Sequence, residues 1–518
     1  MTHQSPHPAV VVPDVPLGDF VLGRASAYPD RPAFVDGLSG RAITFGELVD
    51  RVRRVAAGLS RRIGKGDVVA IWAPNVPEYA VAFHAAARLG AIVTTVNPAY
   101  TDDEVTFQLR DAGARLLVTT AALASRGHEV AASAALSLDD LLTLDDAPGV
   151  TSLDSIAIDE EPPAVAIDPA TDVVALPYSS GTTGLPKGVM LTHRNLVANL
   201  VQIDAIEAPD LAAFAGVLPF FHIYGLVVIM NFGLFRGATI VTLPRFELEA
   251  FLRVLQQWPI ALAHVAPPIV VALVKHPSVD RYDLSRVKWL FSGAAPLGAE
   301  LTDTVERRLN VRVRQGYGMT ECSPGCHYTS PGVERPGTVG LLVPNTECRI
   351  VDPVSGTDAP PGGAGEVWVR GPQVMKGYLN NHEATAATVD TDGWLHTGDI
   401  GVVDGDGYLE VTDRLKELIK VKGYQVAPAE LEALLLKHPL IADAAVIPIP
   451  DDESGERPKA FIVASGPLTA EEVCAFVAAQ VAHYKRLSAV AFVDAVPKSP
   501  SGKILRRVLV ARERAALA

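Results

Sequence analysis

One run of the sequence combines small residues, hydroxyls and a lysine directly after an apolar stretch. Residues 178–189 read YSSGTTGLPKGV and follow the apolar residues 172–176. The hydroxyl donors and the first glycine of this phosphate loop are Ser179, Ser180, Gly181, Thr182 and Thr183. Glycines let backbone N–H groups approach an anion, and Lys187 adds a positive charge, so the loop suits a triphosphate. It is not a Walker A loop, because Pro186 precedes the lysine and Gly188 stands where serine or threonine would hold magnesium.

Three more positions place chemically useful side chains at turns or in loops. Thr320 and Glu321 follow a Gly-Tyr-Gly turn, and a hydroxyl beside a carboxylate offers hard oxygen ligands to a magnesium–ATP complex. Asp399 ends the run WLHTGD, and a carboxylate there can accept hydrogen bonds from two ribose hydroxyls. Lys503 lies in a polar SPSGK loop. These residue types indicate a site for a nucleoside triphosphate.

Composition and charge restrict the class of protein. The chain has 518 residues, of which 48% are hydrophobic and 20% are charged, an ordinary globular composition. It is too long for a single hydrophobic core, so we expect two or more domains. The formal net charge of −14 argues against non-specific binding to nucleic acid or to anionic membranes. An anionic substrate must therefore be held by local groups of donors.

The cysteines and the apolar segments favour a cytoplasmic protein. None of the four cysteines forms a C-x-x-C pair, and so few in a long chain suggest a reducing compartment. Cys322, Cys326 and His327 lie close together in sequence, which leaves a metal site open as an alternative to buried thiols. Residues 1–17 have no basic start and no long apolar core, so we expect no signal peptide. Residues 216–235 approach membrane length, but their internal proline, histidine and asparagine favour a buried strand–loop–helix.

Short apolar runs alternate with helical patterns through most of the chain. Residues 67–73 and 91–96 read as buried strands, and residues 76–88 between them have helical spacing. Further strands are expected at residues 115–119, 172–176, 238–243, 261–265, 288–291 and 311–314. The alternation predicts an α/β fold of layered subdomains with a largely parallel sheet.

The character of the sequence changes twice towards its C-terminus. From residue 338 the strands become short and Gly and Pro frequent, which predicts a small β-rich subdomain, a distorted barrel, over about 338–412. A charged, flexible-looking stretch at 413–422 precedes a compact α+β unit. Its expected elements are helices at 429–437 and 469–483 and strands at 442–449, 460–464 and 489–493. We therefore expect a large N-terminal domain at 1–412 and a small mobile C-terminal domain at 413–518.

Further motifs, in a fixed order, resemble those of a known family. They are FFHIYG at 220–225, QGYGMTE at 315–321, GWLHTGD at 393–399, DRLKELIKVKGYQVAPAELE at 413–432 and PKSPSGKILRR at 497–507. With the phosphate loop they are similar to the signatures of the adenylate-forming superfamily of acyl-CoA synthetases, luciferases and peptide-synthetase adenylation domains. The residues of these motifs are most similar to those of 4-coumarate–CoA ligases, and the motifs span nearly the whole chain. The resemblance implies an ATP-dependent carboxylic acid–CoA ligase that uses ATP, Mg²⁺ and coenzyme A.

The resemblance also implies roles for residues in a first step that makes acyl-adenylate and pyrophosphate. Lys503 would bridge the carboxylate and the α-phosphate, where negative charge accumulates in the transition state. Glu321 would bind magnesium, Thr320 the phosphate, and His222 would border the carboxylate. Beyond the phosphate loop and Lys187, the residues implied in binding ATP or AMP are Gly293, Ala294, Ala295, Gln315, Gly316, Tyr317, Thr320, Asp399, Arg414, Lys416, Lys420, Gln425 and Lys503.

A second step, in which the acyl group passes to CoA, needs different surroundings. The thiol must reach the space that Lys503 occupies during adenylation, and a rotating small domain solves this problem. The resemblance implies a hinge at Lys416. The residues that would then face the site are Lys420 and Gln425 for the adenylate, and Arg245, Lys422 and Gly423 for CoA.

The expected acyl pocket is unusually apolar. The residues implied in it are His222, Tyr224, Val227, Val228, Phe291, Gly293 and Ala294. Phe291 stands where plant 4-coumarate–CoA ligases commonly carry lysine, and Val227 and Val228 where they commonly carry asparagine and serine. An apolar site cannot select strongly for a hydroxylated ring. We therefore expect a cinnamate-like or 4-coumarate-like aromatic acid or a medium-chain fatty acid.

Other functions stay open on the sequence alone. A ligase that loads a carrier protein in trans and a luciferase-type oxygenase would share the adenylation chemistry. A P-loop kinase or ATPase conflicts with the failed Walker pattern, and a non-catalytic nucleotide-binding protein conflicts with the intact motif set. As partners we expect a small carboxylic acid and CoA, no nucleic acid and no stable membrane association, in a monomer or homodimer.

Overall fold

The computed structural model describes residues 1–179, 186–421, 424–451, 454–499 and 502–517. Its longest sheet, the first sheet, contains nine strands within these residues. In spatial order they are Tyr178–Ser179, Lys187–Thr192, Val173–Ala175, Ile92–Val96, Val68–Trp72, Ala114–Thr119, Leu141–Thr143 and Thr151–Ser152, with Gly377–Tyr378 beside Lys187–Thr192. Every pairing from Val173–Ala175 to Thr151–Ser152 is parallel, which confirms the prediction of a largely parallel sheet.

Two more sheets of mixed direction pack with the first sheet around one apolar core. The second sheet has the order Ala213–Gly216, Thr239–Thr242, Pro32–Asp36 and Ala42–Thr44. The third sheet has the order Leu262–Val265, Trp289–Ser292, Arg312–Gly318, Gly325–Tyr328 and Leu341–Leu342. Its first two pairings are parallel and the others antiparallel, so the chain reverses direction directly after Gly318.

The fourth sheet corresponds to the predicted β-rich subdomain. It is antiparallel, with the order Thr2–Gln4, Glu347–Val351, Gly365–Arg370, Leu395–Val403 and Leu409–Arg414. Among the described strands this sheet is open, because its two edge strands do not pair with each other as they would in the expected barrel. One edge of the sheet is formed by the N-terminal strand Thr2–Gln4, which pairs with Glu347–Val351. Local sequence patterns do not reveal this pairing, because the two segments lie more than 340 residues apart.

The fifth sheet and its helices form a separate unit with cores of their own. The sheet has the order Tyr424–Val426, Ile419–Val421, Gly455–Ala464 and Ile441–Asp451, with Ala489–Phe492 paired to Gly455–Ala464. Its buried apolar residues form clusters distinct from the large core that extends from Leu17 to Leu409. We call the part with the first four sheets the large lobe and the part from Glu417 onward the small lobe. Leu409–Arg414 belongs to the fourth sheet, so this division lies slightly beyond the expected boundary at 412, which stays a prediction.

The α-helices surround the sheets and connect their strands. They are Leu17–Leu22, Phe45–Leu59, Glu78–Arg88, Asp102–Ala112, Ala124–Ser133, His193–Asp204, Phe232–Phe235, Leu248–Gln257, Pro267–Lys275, Ala299–Leu309, His382–Thr388, Pro428–Leu435, Ala470–Ala478 and Arg506–Leu517. Capping boxes at Thr44, Thr101, Thr192 and Thr469 fix four of the starts. The helix expected at 469–483 is shorter in the structure, where it runs from Ala470 to Ala478.

The apolar segment at 216–235 folds as a buried strand, a turn and a helix. The strand Ala213–Gly216 leads through a turn into the π-helix Tyr224–Asn231, which continues as Phe232–Phe235. Within the residues that the structure describes, no helix has the length and apolar character needed to span a bilayer. The predicted stretch at 413–422 is not simply a flexible connector, since Ile419 and Val421 are buried strand residues.

Candidate active site

Glu321 receives hydrogen bonds from both sides of the predicted triphosphate site. The hydroxyls of Ser179 and Tyr378 donate to its Oε1 over 3.0 and 2.8 Å. Lys187 pairs with Ser179 across a two-stranded turn, and its Nζ lies 4.2 Å from the centre of the Tyr378 ring. Burial and the neighbouring Glu321 raise the pKa of Tyr378, so its hydroxyl keeps its proton and remains a donor. One end of the phosphate loop, Ser179, is thereby bonded to the carboxylate, and the other end, Lys187, lies over the tyrosine that also donates to it.

The donor set around Glu321 fits a magnesium ion. Glu321 is buried in the short turn Thr320–Cys322, directly after the hydroxyl of Thr320. The two hydrogen bonds to Oε1 orient the carboxylate, and Oε2 accepts no hydrogen bond from the described residues. Hard oxygens held in this way suit Mg²⁺, which would neutralise phosphate charge.

Asp399 is held on both of its oxygens. The hydroxyl of Tyr317 donates to Oδ2 over 2.6 Å, and Nε of Arg414 lies 3.2 Å from Oδ1. Asp399 and Arg414 are register partners on adjacent strands of the fourth sheet, which explains why the two side chains meet. Tyr317 comes from the third sheet, so this carboxylate joins two sheets at one point. A carboxylate this well oriented is suited to accept from paired hydroxyls such as those of a ribose.

The ends of two parallel strands supply the residues predicted to surround adenine. Ser292 and Gln315 are register partners, so Gly293 and Ala294 emerge beside Gly316. Ala294 has a φ of +73°, a left-handed conformation that is unfavourable for a residue with a Cβ and is found most often at functional sites. Carboxyl ends of parallel strands are where α/β folds commonly bind ligands.

His222 and Tyr224 lie where the chain turns into the π-helix. The backbone N–H of Tyr224 donates to Nδ1 of His222 over 3.3 Å. Burial, with a contribution from Lys503, lowers the pKa of His222 to about 4, so the ring is neutral at neutral pH. Since Nδ1 is the acceptor, the proton lies on Nε2. The neutral ring can therefore donate one hydrogen bond to a carboxylate.

The aromatic side chains near Tyr224 enclose a second histidine that the sequence did not single out. The Tyr224 hydroxyl donates to the carbonyl of Phe291 over 3.3 Å and lies 3.2 Å from Nδ1 of His264. His264 is register partner of Phe291, and its ring stacks on Phe214 with centroids 5.7 Å apart. Burial lowers the pKa of His264 to about 3, and its Nε2 has no hydrogen-bond partner among the described residues. A lone histidine in an apolar strand gives no sequence signal of this position.

The loop that carries Lys503 packs against the large lobe. A Cβ on Gly502 would lie only 3.1 Å from Pro268, in the first turn of the helix Pro267–Lys275. Burial and the positive charge of Arg414 lower the pKa of Lys503, while Asp399 and Glu321 oppose that effect. Because these groups act on the ammonium together, the lysine of the small lobe shares the site with them.

Comparison with known proteins agrees with this arrangement. The sequence matches the AMP-binding enzyme family over residues 23–379 and the C-terminal domain of AMP-binding enzymes over residues 430–503. The chain belongs to the AMP-binding enzyme family. The resemblance seen in its motifs is thereby confirmed.

Relatives of this AMP-binding enzyme match over almost its whole length. The 4-coumarate–CoA ligase 5 of Oryza sativa subsp. japonica is 46% identical, with 98% of this chain and 96% of that protein covered. The 4-coumarate–CoA ligase 2 of Nicotiana tabacum is 45% identical, with 98% and 97% covered. The protein is accordingly an AMP-forming acid–CoA ligase that uses ATP and CoA.

Solved structures of AMP-binding enzymes show the same fold. The anthranilate–CoA ligase AuaEII, in complex with anthranoyl-AMP, has a TM-score of 0.89 at 26% identity, covering 98% of this chain and 99% of that one. ATP-bound MatB from Rhodopseudomonas palustris has a TM-score of 0.85 at 30% identity, covering 95% and 98%. The large and small lobes of this AMP-binding enzyme therefore correspond to a known architecture.

Not every predicted site residue lies at the centre of this site. Arg245, Lys416 and Lys420 are exposed, and Lys420 pairs through its backbone with Gln425 across two strands of the small lobe. Val227 and Val228 are buried within the π-helix. The predicted residues outside the described part of the chain are Ser180, Gly181, Thr182, Thr183, Lys422 and Gly423, together with the side chain of Gln425. The roles of all these residues stay predictions.

Proposed function

We propose that this acid–CoA ligase activates a cinnamate- or 4-coumarate-like aromatic acid, with a medium-chain fatty acid as the alternative, and that its lobes rotate between two half-reactions. The observation that carries the proposal is the Lys503 loop seated on the large lobe, where Asp399 and Glu321 act on the lysine. A cation in that position can serve the reaction of a carboxylate with an α-phosphate. The same cation would obstruct a thiol approaching later.

In the first half-reaction the chain's residues position two anions against each other. Lys503 attracts both the carboxylate and the α-phosphate, and stabilises the charge that develops as the new bond forms. His222 donates from Nε2 to the acid, as its hydrogen bond from Tyr224 requires. Asp399 would hold the ribose, Glu321 would hold the magnesium that accompanies ATP, and Thr320 would contact the phosphate.

In the second half-reaction the small lobe turns about Lys416 and withdraws Lys503. Lys420, whose strand pairs with that of Gln425, is exposed in the present arrangement, so its side chain is available to face the site after such a rotation. Arg245 is likewise exposed on the large lobe and can meet an anionic group of CoA. The acyl group then passes to the thiol and AMP is released.

The choice of acid follows from the groups around Tyr224. Phe291, Val227 and Val228 are buried apolar side chains, as expected for a pocket that accepts an unsubstituted ring or an alkyl chain. His264, next to Tyr224 and Phe291, adds one nitrogen that has no hydrogen-bond partner among the described residues, and such an acceptor can be satisfied by a ring hydroxyl. The 4-coumarate–CoA ligases that this chain resembles are named for an acid with such a hydroxyl.

A panel of acids tests the substrate, with pyrophosphate release and CoA-thioester formation measured by mass spectrometry. Cinnamate, 4-coumarate and octanoate distinguish the proposed classes. Absence of both pyrophosphate and thioester with every aromatic and fatty acid would refute the proposed substrate class.

Lys503→Ala tests the division of labour. Removing one preorganised cation should reduce acyl-adenylate formation at least a hundredfold, roughly the 3 kcal/mol typical of such a donor. Thioester formation from supplied acyl-adenylate should persist. Lys498 gives a matched control, because it lies in the same motif but pairs with Asp443 at 2.7 Å, so Lys498→Ala should spare the first step. Equal losses in both steps for Lys503→Ala would contradict the rotation.

We further propose a cytoplasmic location and a monomer or homodimer. The four cysteines are free thiols, three of them buried, which fits a reducing compartment. Cell fractionation and light scattering test these two statements.

A further inference from the structure

Asp413 of the large lobe hydrogen-bonds directly to the small lobe. Its Oδ2 accepts from the backbone N–H of Ala429 over 2.9 Å. The proposed hinge residue Lys416 lies between the two in sequence. The bond therefore spans the joint about which the small lobe would turn.

The acceptor provides a cap that the small-lobe helix lacks. The helix Pro428–Leu435 starts after Ala427, whose methyl side chain cannot accept a hydrogen bond from the first N–H groups of the helix. Pro428 has no N–H, so Ala429 provides the first backbone donor of the helix. Unpaired donors at a helix start are stabilised by a carboxylate, both as hydrogen-bond acceptor and as a charge near the positive helix end. Here that carboxylate comes from the other lobe.

Asp413 is fixed firmly on its own side of the joint. It lies on the strand Leu409–Arg414, paired with Ile400, and it is buried. Its Oδ1 accepts from the backbone N–H of Arg414 over 2.7 Å. Burial raises the pKa of Asp413 to about 6, so an ionised carboxylate here depends on these N–H donors.

The capped helix is coupled to the catalytic lysine. Glu432, one turn along the helix, accepts two hydrogen bonds from Arg506 at 2.8 and 2.7 Å. Arg506 also donates to Glu417 over 2.6 Å and to the carbonyl of Val446 over 3.2 Å. Lys503 lies three residues before Arg506. The position of the helix therefore determines the position of the Lys503 loop.

We propose that Asp413 is a positioning residue that latches the lobes in the arrangement that forms the acyl-adenylate, and that release of Ala429 accompanies rotation towards thioester formation. The inference rests on the proposed alternation of the lobes. In the sequence, Asp413 only marks the start of the expected C-terminal domain. Neither the phosphate chemistry nor acid binding requires this side chain.

The latch predicts a particular kinetic signature. If the lobes exchange rapidly, each half-reaction proceeds in proportion to the fraction of molecules in its own arrangement. The ratio of the two rates then reports the equilibrium between arrangements, whichever of them predominates. Loss of a helix cap of ordinary strength should shift that equilibrium about twofold to thirtyfold.

The experiment compares Asp413→Ala with the wild-type enzyme in separate half-reactions. Adenylation is measured by ATP–pyrophosphate exchange, and thiolation by thioester formation from supplied cinnamoyl-adenylate and CoA. The rate of thiolation divided by the rate of adenylation should rise about twofold to thirtyfold in Asp413→Ala. Asp413→Asn keeps one acceptor for Ala429, and should therefore give a smaller rise and serve as a second variant if the alanine protein folds poorly.

A cap inside the small lobe provides the matched control. Thr469 caps the helix Ala470–Ala478 together with Glu472, and both residues lie on the same side of the hinge. Thr469→Ala should lower the melting temperature yet leave the rate ratio unchanged. An unchanged ratio in both Asp413 variants, or an equal change in Thr469→Ala, would overturn the latch. If Lys503→Ala failed to separate the half-reactions, the alternation itself would be refuted, whereas separation there with no effect at Asp413 would refute the latch alone.

Discussion

The hydroxyl of Tyr378 offers a sharp test of how Glu321 is oriented. Tyr378→Phe removes one hydrogen bond to Oε1 but keeps the ring over which the Lys187 ammonium lies. This hydrogen bond is 2.8 Å long and buried. A hydrogen bond to a charged group contributes about 1.5–3 kcal/mol, and Ser179 remains as the second donor. The lost interaction thus corresponds to a change of about tenfold to 150-fold at most.

We expect this loss to appear in the magnesium dependence of adenylation. With one donor gone, the carboxylate is free to turn, so more free Mg²⁺ is needed to assemble the same ATP complex. The assay is ATP–pyrophosphate exchange over a series of free Mg²⁺ concentrations. Thiolation of supplied acyl-adenylate involves no triphosphate and should proceed at the wild-type rate.

A second tyrosine–glutamate contact separates this effect from general destabilisation. The hydroxyl of Tyr328 donates to Glu207, which also pairs with the fully buried Arg314 at 2.8 Å. Tyr328→Phe removes a bond of the same chemical kind away from the phosphate loop, and should lower stability without changing the magnesium dependence. If Tyr378→Phe left that dependence unchanged, or impaired thiolation as much as adenylation, the proposed orientation of Glu321 would be incorrect.

Two further predictions concern buried histidines. His264→Leu should lower the preference for 4-coumarate over cinnamate, measured as the ratio of their kcat/KM values, by about fivefold to 150-fold if the ring hydroxyl satisfies Nε2; an unchanged ratio would exclude that contact. Burial lowers the pKa of His84, His264 and His327 to about 3 and that of His193 to about 4. The unfolded chain protonates them near pH 6.5 while the folded chain does not, so stability is lost as the pH falls from 6.5 towards 4, by about 2 kcal/mol for each histidine at pH 5. Urea unfolding at pH 7 and pH 5 measures this loss, and His84→Gln should reduce the difference by about that amount; an undiminished difference would contradict the assignment.

Local sequence patterns were sufficient for most of the elements that frame the site. Residues 67–73 and 288–291 are apolar runs of strand length, and they form Val68–Trp72 and Trp289–Ser292. Such runs fold as strands because both faces are covered, and neighbouring turn residues mark their ends. The motifs that contain Glu321, Asp399 and Lys503 identified the family correctly. The order of these motifs in the sequence does not show which side chains contact the three residues.

The unpredicted part of the site consists of contacts between side chains far apart in sequence. Tyr378 meets Glu321 across 57 residues, and Tyr317 meets Asp399 across 82. A tyrosine that donates to a carboxylate looks in sequence like any core tyrosine, because only the packing of separate sheets brings the partners together. The sequence predicted a helix at Tyr224–Asn231 but not that it is a π-helix. Its residues are nearly all apolar, so they carry no periodicity that separates a π-helix from an α-helix.

Arg506 keeps the Lys503 loop in a fixed position within the small lobe while that lobe turns about the hinge between the two half-reactions. Its guanidinium joins Glu417, directly after the hinge, to Glu432 on the capped helix and to the strand at Val446. A planar group with several fixed donors holds such acceptors in a defined geometry. All of these partners lie beyond Lys416, so they move together when the small lobe turns. The Lys503 loop is therefore carried as part of a rigid body, and the hydrogen bond between Asp413 and Ala429 is one of the contacts between the lobes that must open.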